Sequence, residues 1–426
     1  MFQKTILDNG MAIVTSEMPH TRSVSVAIYI GVGSRYESEE QAGLSHFVEH
    51  MLFKGTESRP TAKEISDTIE GVGGVLNGGT DRELTVYWSK VARPHLGMAI
   101  DLLADMILRS RFDPAEVEKE RKVVVEEINM VNDSPHQLVD VVIDEVVWPN
   151  QPLGRDVAGS KDTVTTFTRD MALGYLHSHY GPSNTVVSVA GNVTHEEVVD
   201  RLHKAFQDWP VIAPTTFSAA EDGQREPRLK VEQRKIEQAH VCLAVRGLSS
   251  QHPDRFILDV LNVILGEGMS SRLFLELREK QGLAYDVHSY VSHFLDCGAA
   301  VVYAGVDPLR IEATINAILE QLSRLKEGIS EEEITRAKEF SKGRMLLRME
   351  DTRSVSSWMG GQELLTGRIL SIDDVVSIVD AVMPDDLRRM ARQIYTTDKL
   401  NMAVVGPFKS QKRFAGLLRF GPDLRV

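Results

Sequence analysis

Two valine-rich runs, one near the middle of the chain and one near its end, share one pattern. The first is Val186-Val187-Ser188-Val189-Ala190-Gly191-Asn192-Val193 and the second Asn401-Met402-Ala403-Val404-Val405-Gly406-Pro407-Phe408. Each is a short apolar stretch that stops at a glycine and passes into a helical pattern, as a buried strand followed by a helix does. What precedes them also repeats. A helix from His95 leads to Asp113-Pro114-Ala115-Glu116-Val117-Glu118, and a helix from Leu309 leads to Ser330-Glu331-Glu332-Glu333-Ile334. A chain that runs strand, helix, strand, long helix, strand, helix twice over is expected to fold as two copies of one α+β domain. Each copy should be a largely antiparallel sheet with helices packed on one face. The alternative is two unrelated domains. With 426 residues, 42% of them hydrophobic, the chain exceeds what one ordinary core accommodates. The boundary falls in residues 211–227, which carry Pro214 and Pro227, several Ala, Ser and Thr, and no apolar period. The expected domains are therefore 1–212 and 230–426, joined by a linker over 213–229.

Local signals fill in the first copy. Asp8-Asn9-Gly10 predicts a hairpin ahead of Met11-Ala12-Ile13-Val14. Residues Val24 to Val32 alternate small or polar with apolar side chains, as a half-buried strand would. Leu44, Phe47, Val48, Met51 and Leu52 have helical spacing. Thr61 with Glu64 reads as a capping box, and the glycines from Gly71 to Gly79 break that helix. Glu83 to Val91 reads as a strand, Arg93 to Arg109 as a helix, and Asp113-Pro114 starts a long helix reaching about Met130.

Charge and cysteine content narrow the function classes. The formal charge is 48 − 61 = −13, which disfavours nucleic acid as a partner and permits basic or neutral peptides. Cys242 and Cys297 are too few for a disulfide framework and sit in apolar stretches, so both are expected to be buried free thiols in a reducing compartment. The N-terminal residues contain no apolar signal core, and no run of about 18 apolar residues occurs. A cytoplasmic protein with no membrane span is the expectation.

The chemistry concentrates in His46-Phe47-Val48-Glu49-His50. Positions four apart on a helix share a face, so both imidazoles can reach one metal ion. Glu49 borders that face, where a carboxylate beside a metal rather than on it can serve as general base. Read alone, the pentapeptide also suits a helix with two satisfied histidines. A catalytic zinc needs a third protein ligand. The long helix offers Glu116, Glu118, Glu120, Glu126 and Glu127. Glu120 and Glu127, seven apart, lie two turns apart on one face, whereas Glu116 and Glu118 read as a solvated face.

The segment from Ala42 to Thr56, built around that pentapeptide, resembles the pitrilysin-type zinc metallopeptidases, the inverzincins. The mitochondrial processing peptidase β-subunit and the insulin-degrading enzyme are members. Glu120-Arg121-Lys122-Val123-Val124-Val125-Glu126-Glu127 is similar to the family's Glu-Arg segment, in which the residue seven after the first glutamate binds zinc. The resemblance implies one zinc per chain on His46, His50 and Glu127, with Glu126 the near miss and Glu120 the acid that steadies the site. The same ligand types also suit manganese or cobalt. Leu76-Asn77-Gly78-Gly79-Thr80-Asp81-Arg82-Glu83 resembles the edge strand on which the family lays its peptide, with Asn77 at the contacting position. Leu277 to Tyr285 resembles a segment whose arginine and tyrosine, here Arg278 and Tyr285, hold the substrate carbonyl; by themselves they read as surface-helix residues. The second half lacks the pentapeptide, as the resemblance implies for a substrate-supporting half. Large members join four such domains around a chamber, so a two-domain chain implies a homodimer, or a heterodimer with an inactive homologue. The implied activity is endopeptidase cleavage of oligopeptides or unfolded segments. A non-catalytic structural or chaperone-like subunit of the same fold is the rival.

Overall fold

The computed structural model describes residues 2–213 and 215–420, so Pro214 of the expected linker lies outside it. Gly10, at a φ of 92°, turns the corner between β1 (Phe2–Ile6) and β2 (Ala12–Glu17), as Asp8-Asn9-Gly10 predicts. With β3 (Ser23–Ile30), β4 (Val75–Thr80), β5 (Thr85–Ala92) and β6 (Thr185–Gly191) they form a sheet in the order β1-β2-β6-β3-β5-β4. Only β2 and β6 pair in parallel. The second sheet contains β7 (Arg228–Gln233), β8 (Ala239–Arg246), β9 (Ala284–His293), β10 (Gly298–Val306) and β11 (Asn401–Gly406), in the order β7-β11-β8-β10-β9. Only β7 and β11 pair in parallel. With β1 set aside, the two orders are the same. The last strand of each half slots between its first two, and those inserted strands, β6 and β11, are the two valine-rich runs. The fold is thus a duplicated α+β fold with largely antiparallel sheets.

The compact units do not follow the linear halves. One comprises the chain up to Asn129, Arg155–Ser218 and Leu346–Ser371; the other comprises Met130–Gly154, Ala219–Met345 and the chain from Ile372. Each half thus sends a helix-bearing segment to the opposite unit, which a split at 212 and 230 does not anticipate.

In the first unit, Val24, Val26, Ile28 and Ile30 of β3 pack with α1 (Leu44–Leu52), α2 (Ala62–Glu70) and α3 (Leu96–Arg109). The capping box at Thr61 and Glu64 starts α2 as expected. The opposite face is covered too. Ala27, Tyr29, Val186 and Ala190 meet Met359 of the helix Thr352–Thr366. Every residue of β3 from Val24 to Ile30 is therefore buried, and the expected half-buried strand and one-faced helix layer are both incomplete. The polar side chains on this face are paired: Thr352 Oγ1 donates to Ser25 Oγ of β3 at 3.5 Å. Ser188 Oγ donates to Ser356 O at 2.8 Å, and Ser356 Oγ donates to Ser188 O at 2.9 Å. Gly360 lets this helix approach, since a Cβ there would sit 2.4 Å from the Tyr29 ring.

In the second unit α5 (Pro135–Val147) plays the same part, setting Val139, Val142 and Ile143 against Cys242, Ala244 and Val301. Neither cysteine forms a disulfide among the described residues; Cys242 is buried, whereas Cys297 is only partly covered. Among the described residues no helix is long and apolar enough to cross a membrane. Gly360→Ala should cost about 1–3 kcal/mol through overpacking against Tyr29. Gly361→Ala, with nothing within 4 Å of its Cβ, should gain up to about 1 kcal/mol. Urea unfolding of both variants checks the pair, and equal effects would refute the close approach.

Candidate metal centre

Helix α1 is fixed before any ligand is considered. Leu44, Phe47, Val48, Met51 and Leu52 are fully buried and hold one face to the sheet. Its first turn has an unusual cap. Gly43, at φ 96°, offers no side chain, and a Cβ there would meet Ala158 O at 2.4 Å. The Glu37 carboxylate takes over, accepting from Gly43 N at 2.8 Å and Ser45 N at 2.6 Å. The helix then presents His46 and His50 on its other side, rings edge to face at 4.4 Å and Nε2 atoms 3.1 Å apart.

Helix α4 (Pro114–Asp133) lies opposite, anchored by buried Val117, Val124 and Ile128. It brings Glu127 Oε2 to 3.8 Å from His46 Nε2 and 3.5 Å from His50 Nε2. Tetrahedral bonds of about 2.0–2.1 Å imply ligand atoms about 3.3 Å apart, so this triangle fits a zinc-sized ion with little adjustment. No other group of three or more His, Cys, Asp or Glu among the described residues converges this way. Glu126 is exposed on the next position. Glu116 pairs with Lys119 at 3.2 Å and Glu118 with Arg121, the solvated face expected of them.

Glu120, 1% exposed, stands behind the two histidines, with Oε1 2.8 Å from His50 Nδ1. Its other oxygen lies 2.7 Å from the Lys54 ammonium. Burial opposes ionisation of Glu120, but the His50 and Lys54 contacts outweigh it and hold its carboxyl below the usual range. Burial likewise opposes charge on His50, but its hydrogen bond to the Glu120 carboxylate and the charge of Glu127 outweigh it, so the imidazole titrates higher than usual. His46 goes the other way: burial, then the neighbouring His50, push it down to about 4. It is neutral at pH 7, as a ligand must be.

Glu49 does not join the cluster. Its carboxylate accepts from Thr80 Oγ1 at 2.8 Å, and burial raises its carboxyl although that hydrogen bond pulls the other way. Thr80 belongs to β4, which fits against α1 because Gly78 has no side chain. A Cβ at Gly78 would lie 2.9 Å from Glu49 Oε1 and 3.0 Å from the Phe53 ring. The glycine run from Gly71 to Gly79, read first as a breaker, thus contains an edge strand. Asn77 is exposed on it, its Oδ1 accepting from Gly78 N at 2.8 Å.

Arg278 and Tyr285 belong to the second unit. Arg278 lies in a π-helical segment, Phe274–Lys280, with its guanidinium 4.8 Å from the Tyr285 ring centre. Tyr285 is 77% exposed and is the second residue of β9, so it is a strand residue rather than the surface-helix residue read from sequence. Sequence reasoning passed over Lys54, Gly78 and Thr80. Each lay inside a segment already singled out, and Lys54, four residues after His50, was the most detectable.

Comparison with known proteins accords with this geometry. The insulinase model of peptidase family M16 matches residues 12–161, and the inactive-domain model of that family matches residues 166–340. A Bacillus subtilis protein named as an uncharacterized zinc protease is 37% identical over 412 residues, 96% of this chain and 98% of that one. The chain belongs to peptidase family M16. A Streptomyces coelicolor protein, also named as an uncharacterized zinc protease, is 38% identical over 96% of this chain and 90% of its own length. Among solved structures, a Helicobacter pylori protease superposes with a TM-score of 0.89 at 24% identity, covering 96% of this chain and 99% of that one. A Pseudomonas fluorescens structure described as a peptidase M16 inactive domain gives 0.88 at 16% identity, over 96% and 99%; both show the shared fold. The M16 assignment focuses the test on the ligand from α4. Glu127→Ala should bring zinc content well below one per chain by elemental analysis, while Glu126→Ala leaves it unchanged. The reverse result would move the third ligand by one position.

Proposed function

We propose that this chain is a zinc-dependent endopeptidase acting on oligopeptides or unfolded segments. The observation that carries this reading is the convergence of His46 Nε2, His50 Nε2 and Glu127 Oε2, with Glu49 alongside but uninvolved. His46, His50 and Glu127 would hold the zinc, which when bound supplies Lewis acidity toward a carbonyl and toward water. The Glu49 carboxylate takes a proton from water as that water adds to the scissile carbonyl carbon. It then returns the proton to the departing amine nitrogen. Thr80 holds that carboxylate in place. Strand β4 ends its sheet, so its free edge can pair with an extended peptide beside Glu49, Asn77 lying along it. Arg278 and Tyr285 are proposed donors to the substrate's carbonyl oxygen.

The rival reading, a non-catalytic subunit, has no use for a complete set of His46, Glu49, His50 and Glu127. We further propose self-association into a chamber that excludes folded proteins, since the two-domain length and both motif sets suit a homodimer. A sedimentation mass near 47.5 kDa at micromolar concentration would remove that part.

Glu49→Gln should retain stoichiometric zinc yet lose peptide cleavage by about 10²–10⁴-fold, the range for a general base. Digestion of a peptide library read by mass spectrometry, with and without chelator, measures this. Normal turnover in the variant would remove the general-base role, and cleavage unaffected by chelation would remove the zinc.

A further inference from the structure

The residue behind the ligands has a partner of its own. Glu120 is almost fully buried in α4, and its two oxygens divide between a ring nitrogen and an ammonium: Oε1 to His50 Nδ1 at 2.8 Å, Oε2 to Lys54 Nζ at 2.7 Å. Lys54 follows the C-terminus of α1, the helix that carries His46 and His50. Its backbone is held as well. Lys54 N donates to Met51 O at 3.1 Å, and the next residue, Gly55, has a φ of 133° at which any Cβ would strike Pro60 O at 2.3 Å. The lysine therefore leaves the helix at a fixed point, and its side chain spans to α4.

We propose that Lys54 is a positioning residue for the metal centre, acting through Glu120 on His50; this rests on the reading that His50 binds the metal. A buried carboxylate with one imidazole partner could swing or seek another donor. With Lys54 on its second oxygen it has one orientation, in which Oε1 accepts the Nδ1 proton of His50. That hydrogen bond leaves the Nε2 lone pair of His50 aimed at Glu127 Oε2 and His46 Nε2. Lys54 also has an opposing effect, since its positive charge repels a cation. The contact with Glu120 is direct, at 2.7 Å, whereas any cation on the three ligands lies beyond two side chains and is screened across that path. The positioning effect therefore wins, and this fixes the sign of the test.

The measurement is the zinc dissociation constant, by competition with a chromophoric chelator, on the full chain. Wild-type protein should bind one zinc, and His50→Ala should abolish tight binding; failure at this step defeats the metal reading itself. Given that step, Lys54→Met, which keeps the aliphatic stem, should weaken zinc binding tenfold or more, within the range for partners of ligating histidines. Lys54→Arg should restore it to within about threefold, because the charge on Glu120 is kept. In a Glu120→Gln background, Lys54→Met should cost less than about twofold or tighten binding slightly, because only the repulsion remains. Unchanged or tighter binding in Lys54→Met alone overturns the proposal, as does a full tenfold loss in the Glu120→Gln background. If circular dichroism shows Lys54→Met unfolded, Lys54→Gln is read by the same criteria.

Discussion

The structure around the candidate metal centre depends on the burial of one face of α1. Leu44, Phe47, Val48, Met51 and Leu52 are all removed from water, each contributing about 1.5–3 kcal/mol, on the order of 10 kcal/mol together as an upper estimate. That outweighs what the same helix costs in polar burial. Glu49 is nearly covered, Glu120 is packed beside the helix, and Glu37 is spent on capping amides rather than facing water. Because the apolar face cannot rotate without exposing those side chains, His46 and His50 have one direction available, toward α4. The ligand triangle follows from core packing first and from histidine chemistry second.

How much was legible in sequence follows from the range of each signal. Periodicity and caps are local, so α1, the Thr61 cap, the Asp113-Pro114 start and both valine-rich strands could be read directly. The His-x-x-Glu-His spacing is local too, and the helix turns it into geometry without further information. Glu127 was different. Helix α4 offered five glutamates, and spacing alone left several open; only resemblance to a family segment separated Glu127 from Glu126. The structure supplies the physical reason: Val117, Val124 and Ile128 define the buried stripe of α4, and Glu120 and Glu127 flank it facing α1, while Glu126 points to solvent.

The elements that could not be read are those whose identity depends on distant chain. Helices Pro135–Val147 and Thr352–Thr366 cover the second faces of sheets built mostly by the opposite half. Nothing local in either marks its destination. The same long-range covering made β3 misleading. Ser25 and Ala27 look like a wet face until Thr352–Thr366 arrives, with Thr352 donating to Ser25 Oγ and Gly360 making room for the neighbouring Tyr29 ring. A small or hydroxylated residue in an otherwise apolar strand thus has two readings, solvent or a closely docked helix. Glycine in the docking helix separates them: Gly360 has a side chain pressed into its Cβ position, and Gly361 has none.

Charge explains why the cluster takes the residues it does. Glu49, Glu120 and Glu127 contribute three carboxylates and Lys54 one ammonium, −3 + 1 = −2, with His46 held neutral. A divalent cation is a counter-charge of matching size for the two negative charges left over. Protons are another counter-charge the residues can accept: burial raises the Glu49 carboxyl, and the Glu120 hydrogen bond and Glu127 charge raise the His50 nitrogen against its burial. A metal on His50 would compete with that proton, a competition that neutral pH tilts toward the metal. Lys54 is what keeps this balance at two rather than three negative charges. The carboxylate that serves His50 thus has its counter-charge in a lysine that the motif does not include.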